Sequence, residues 1–138
     1  MTHPQHEDLL RALHDLWQTP ENQLFICDPD SYQCVGFIRS AGETHLTVSC
    51  GRGPDAPRAQ VLERLGFTFH RRLAMNPKTL QPVPVYSCRR PVATPSEAAD
   101  VAITVILDFL MVAADTWLYI TPTNNPDEWP PDLPRPAG

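Results

Sequence analysis

The stretch TPSEAADVAITVILDFLMVAAD, Thr94 to Asp115, decides how the rest of the chain must be arranged. Thr94 is a capping residue, Pro95 suits the first helical position, and Glu97 stands three residues on, where it can complete a capping box. The pattern predicts a helix from 95 to about 115 that is apolar almost all round, broken only by Asp100, Thr104 and Asp108 at a spacing of four and by Asp115. A membrane span is excluded by its charges. Each aspartate near the middle of a span would cost about 2.5–3.5 kcal/mol, and no basic residue flanks the C-terminal side. The helix must therefore bury two sides, one on a sheet and the other on a second helix or another chain. Ile106, Phe109 and Leu110 are the residues expected at such a contact between copies.

Working toward the N-terminus, residues 83–90 read as a strand. Pro84 predicts that it begins at, or runs along, a sheet edge. Phe67 to Arg71 alternates as a strand does, and residues 73–82 read as a loop. Asp55 is a helix cap for a segment running to Leu65, with Gly66 supplying a left-handed end. Ala41-Gly42 is a two-residue hairpin turn between strands 32–40 and 43–50. That turn pairs Val35 with Val48 and Phe37 with Leu46 on one face, and turns Glu43, His45, Thr47 and Ser49 to the other. Gln23 to Cys27 makes a further short strand, ended by Asp28-Pro-Asp-Ser31. Leu9, Leu10, Leu13, Leu16 and Trp17 form a helical stripe, closed by Thr19-Pro20. The element order α-β-β-β-α-β-β-α predicts an α+β domain over residues 1–121, with helices packed on an antiparallel sheet. Residues 122–138 hold six prolines and read as an extended tail.

Charge divides the chain into three. Residues 1–51 carry net −5, residues 52–90 net +6 and residues 91–138 net −6, for a total of −5. An acidic total disfavours general binding to nucleic acid or to anionic membrane. The basic middle leaves one alternative, an anion- or nucleic-acid-binding surface at Arg64, Arg71, Arg72, Arg89 and Arg90. Cys27, Cys34, Cys50 and Cys88 show neither CxxC nor paired Cys/His spacing, so no metal site or cofactor is expected. The hairpin register puts Cys34 and Cys50 on opposite faces, which argues against a disulfide between them. All four are expected as reduced thiols of a cytoplasmic protein, in keeping with the lack of a charged-then-apolar leader. For an enzyme the available groups are Ser49, Cys50, Cys88, His45 and His70. Nothing in the sequence brings them together, so no catalytic residue is assigned.

The helix, the "CVGFI" and "ETHLTVSC" strands, the "LERLGF" helix end and the closing "AADVAITVILDFL" helix together resemble the Tir-chaperone-like superfamily. That group comprises the type III secretion chaperones, the YbjN-like proteins and the TY-Chap domains. The likeness covers about residues 8–120 and is nearest to the TY-Chap N-terminal domains. It implies a bacterial, non-catalytic, homodimeric module that holds an extended segment of a partner protein, an effector or a neighbour-encoded chain. An apolar sheet face could receive that segment, with Phe25, Val35, Phe37, Leu46 and Val48 as contacts.

Overall fold

The computed structural model describes residues 3–31, 33–51 and 56–121, so the Pro-rich stretch 122–138 and the Asp55 cap lie outside the described residues. The α+β expectation holds. Helix α1 is His6–Leu16, followed by strands β1 (Asn22–Cys27), β2 (Cys34–Ser40) and β3 (Glu43–Gly51). Helix α2 (Ala56–Arg64), β4 (Thr68–Met75), β5 (Pro82–Val92), α3 (Pro95–Thr104) and β6 (Tyr119–Thr121) complete the fold. The strands form one antiparallel sheet in the order β4-β5-β3-β2-β1-β6.

Local chemistry sets these boundaries. Ala41 and Gly42 both take positive φ, 52° and 79°, the mirror-image turn that matches strand twist. Across it Val35 faces Val48 and Phe37 faces Leu46, as the sequence predicts. Gly66, at φ 85°, ends α2. Thr94 Oγ1 accepts from Glu97 N at 3.1 Å, while Glu97 reaches back to Ala93 N and pairs with Arg90 at 2.8 Å.

The closing helix departs from expectation in length and pitch. α3 ends at Thr104 and continues as a π-helical turn over Val105–Phe109, with Leu110 N donating to Val105 O at 2.9 Å. Met111 then takes a left-handed φ of 58°, and Val112 N closes back on Ile106 O. Ala113 to Asp115 are exposed, so continuing the helix would bury nothing and would carry the chain away from the sheet. Tertiary demand outweighs the helix propensity of the two alanines. The chain returns instead to lay β6 beside β1, a strand the sequence reading lacks.

The core lies between one face of the sheet and the helices. α1 packs along α3, and α2 packs on the π turn. Leu9, Leu13 and Leu16 of α1 meet Ala98, Ala99, Val101, Ala102, Val105, Ile106 and Phe109 above the inward residues of the strands. Arg58 of α2 donates to Phe109 O at 2.9 Å and lies over the Phe109 ring at 4.7 Å, so a cation covers the last carbonyl of the turn. The second apolar side of the closing helix thus meets α1 and α2 of the same chain.

Two sequence expectations change here. β4 and β5 form a hairpin whose strands take Leu73, Ala74, Met75 and Pro82 from the stretch 73–82 read above as loop, while 76–81 is the connecting turn. β5 is also an interior strand despite three prolines. Register explains how. β3 ends at Gly51 opposite Tyr86, so Pro82 and Pro84 stand where β5 has only β4 beside it. β4 begins at Thr68 opposite Arg89, so Pro91 stands where β5 has only β3 beside it. Successive strand residues present N–H to opposite sides, and 91 differs in parity from 82 and 84, so each missing donor faces an absent neighbour.

Candidate functional site: an open strand edge

The same parity fixes what the outer margin of β4 offers. Asn76 N donates to Gln81 O at 3.0 Å, so even-numbered positions turn toward β5 along this hairpin. Positions 69, 71, 73 and 75 then turn both N–H and C=O away from β5, and among the described residues no strand lies on that side. Past the end of β3 the hairpin continues as an arm with no further strand beside it among the described residues. There Leu73 faces Pro84 and Met75 faces Pro82, with Leu73 61% and Met75 62% exposed. The tip is fixed by the Asn76 side chain, which accepts from Lys78 N and Thr79 N. Leu80 N also donates to Asn76 O at 2.8 Å, which holds Leu80 left-handed at φ 57° and 74% exposed. Among the described residues, three of the six large exposed apolar side chains thus gather on this arm.

The expected contact residues fall elsewhere. Val35, Phe37, Leu46 and Val48 are at most 1% exposed beneath the helices and offer no surface to a partner. Phe25 lies on the opposite face, packed over Gly36 so closely that a Cβ there would come within 2.8 Å of its ring. Ile106, Phe109 and Leu110 are buried within the protomer, so the contact between copies expected of them has no exposed side chains to use.

The five arginines do not form one patch. Arg90 faces the helices and is paired with Glu97, while its neighbour Arg89 is exposed on the other face. Arg64 is exposed at the end of α2. Arg71 and Arg72 lie in β4 opposite Tyr86 and Val85.

The cysteine expectation is overturned for Cys27 and Cys34, while Cys88 remains a thiol. Cys27 and Cys34 form a disulfide across β1 and β2. Asp28 N donates to Gln33 O at 2.9 Å, which makes 28/33 a hydrogen-bonded pair and 27/34 the closer, non-bonded pair beside it. The sequence signal was there: two cysteines flank a six-residue turn between strands that must pair. With the thiols oxidised, the redox argument for a cytoplasmic setting loses its support. Cys88 is buried under the core.

Other polar groups are engaged in holding the fold. The Gln5 side chain accepts from Leu118 N at 2.6 Å and donates to Leu118 O at 2.9 Å, tying the chain start to the lead-in of β6. His3 Nδ1 accepts from Gln5 N, and His6 meets Asp100 at 3.3 Å. Burial, with a smaller contribution from His6, holds the His3 ring below its ordinary pKa. A cleft of about 390 Å³ opens between the β2–β3 turn and the start of α3. Its main charges are spent: Arg39 lies over Trp17 and donates to Thr19 O, Gly42 O and Thr44 Oγ1, and Glu97 is held by Arg90. Among the described residues no group of three or more His, Cys, Asp or Glu side chains could hold a metal, and no helix is long and apolar enough to cross a membrane.

Leu73 to Met75 are the strand signal the loop reading misses. The two-residue alternation that begins at Phe67 runs on through Phe69, Arg71, Leu73 and Met75, and the arginine pair in its middle hides it. Searches against protein-family models, curated proteins and solved structures give no match to the chain.

Proposed function

We propose that this protein is a non-catalytic binding module that holds an extended segment of a partner protein by adding it to the sheet beside β4. One observation carries the reading: the β4 margin combines four outward-turned backbone positions with exposed apolar side chains at alternate positions. Backbone pairing supplies affinity in such strand addition, and alternate side chains supply specificity. The resemblance to secretion chaperones implies the same mode of binding. The structure favours a different surface for it, the strand edge in place of the apolar face, because helices already cover that face.

The experiment is selection of heptapeptides from a random library, followed by residue-resolved hydrogen exchange of the complex. Selected peptides should slow exchange at Phe69, Arg71, Leu73 and Met75. Leu73→Pro should abolish binding without unfolding the protein, because the lost N–H is not part of the β4–β5 ladder. Selected peptides that protect other regions, or full binding by Leu73→Pro, would overturn the proposal.

A further inference from the structure

We propose that the guest strand is acidic as well as apolar, with carboxylates opposite Arg71 and Arg72 and apolar side chains opposite Leu73 and Met75; this rests on the strand-addition reading above. Residues 64–90 contain six bases and no acid, in a chain whose flanking segments are both strongly acidic. Within that basic span, β4 carries Arg71 and Arg72 at its middle, and exposed Lys78 stands on the turn beyond. Neither β4 nor β5 contains an acidic residue. A guest laid antiparallel on β4 places one residue directly opposite each of positions 69, 71, 73 and 75 and shares their faces. The recognition code read along β4 is therefore two charges followed by two alternate apolar contacts.

Two other occupants fit less well. A nucleic acid would meet the arginines, but its backbone has nothing to set against Leu73, Met75 and Leu80, and Arg90 is committed to Glu97. A second copy could pair β4 with β4. Registers centred on Arg71 or Arg72 would set like charges face to face, and the register centred on Leu73, which does not, leaves Arg71 and Arg72 opposite Met75 and Ala74 without a counter-charge.

The test uses three synthetic peptides titrated by fluorescence anisotropy against the whole chain. Each has valines opposite Phe69, Leu73 and Met75; the two positions opposite Arg71 and Arg72 are glutamate, glutamine or lysine. The glutamate peptide should bind about five- to tenfold tighter than the glutamine peptide, the size of two cross-strand charge pairs, and the lysine peptide should bind weakest. The double variant Arg71→Glu/Arg72→Glu should invert that order, and Arg71→Gln/Arg72→Gln should flatten it if the reversed pair does not fold. Equal affinity for all three peptides would overturn the acidic guest and leave strand addition standing. No binding by any peptide, with exchange at positions 69, 71, 73 and 75 unchanged, would overturn both. A single-stranded oligonucleotide that displaces the glutamate peptide at lower concentration, or self-association that excludes it, would overturn the inference in favour of that occupant.

Discussion

At one margin of the sheet β6 offers three residues; at the other β4 offers eight. Tyr119 and Thr121 both turn their backbone groups to β1, which leaves Ile120 as the single outward position of β6. Just beyond it, the outward N–H of Gln23 is taken by the Asn22 side chain at 2.9 Å. The lead-in to β6 is clamped by Gln5 and rests beside the Cys27–Cys34 bridge. Among the described residues this margin shows a short edge strand and a side chain that occupies an outward donor, two of the ordinary devices that stop a sheet from recruiting further strands. Among the described residues β4 is longer, and its exposed apolar residues Leu73 and Met75 continue out along the hairpin. On the reading proposed above, Arg71 and Arg72 disfavour the β4–β4 registers centred on them and favour an acidic guest strand. On that proposed reading, one margin ends the sheet and the other extends it.

The sharpest way to break this contrast is to place proline on β4 at positions of opposite parity. Ala74→Pro removes a donor that faces β5 and should cost about 3 kcal/mol or more, read by thermal melting. Leu73→Pro removes a donor that faces outward and should leave the hairpin folded. Equal damage from the two substitutions would contradict the assigned parity. Replacing both Cys27 and Cys34 by serine opens the small β1–β2 loop and should cost roughly 2.5 kcal/mol, measured by urea unfolding. Gln5→Ala leaves the buried Leu118 N–H and C=O without their partner and should cost about 1–3 kcal/mol. It should also raise amide exchange in β6 while leaving β4 unchanged. The smallest effect concerns His3. Because the folded pKa lies below the ordinary 6.5, the folded state binds fewer protons than the unfolded chain. Stability from this group is full above that value and is lost as pH falls through it toward the lowered folded value. Melting followed from pH 7.5 to 5 should therefore decline more steeply for the native chain than for His3→Leu.

Much of the fold was legible because local signals agreed with one another. Ala41-Gly42 set the β2–β3 register, the Thr94–Glu97 box set the start of α3, and Gly66 set the end of α2. The misses share a cause, which is that long-range pairing decided what local pattern left open. Ala113 and Ala114 favour helix, yet β6 had to reach β1. Pro82 and Pro84 look like an edge strand, yet they stand where an interior strand happens to lack one neighbour. Cys27 and Cys34 lack any metal or redox spacing, yet the β1–β2 pairing brings them together. The candidate site was half visible. Arg71 and Arg72 stand out by charge, whereas Leu73 and Met75 read as loop because proline and asparagine crowd the turn that follows, a turn in which Leu80 does lie. The apolar face was legible as a face, and the helices above it make it core.

Residue-resolved amide exchange of β4 in the protein alone, at low concentration, tests the central claim most directly. An open edge predicts fast exchange at Phe69, Arg71, Leu73 and Met75, alternating with slow exchange at Thr68, His70, Arg72 and Ala74. Uniform protection along all eight residues would mean that the margin is already covered, and would contradict the account.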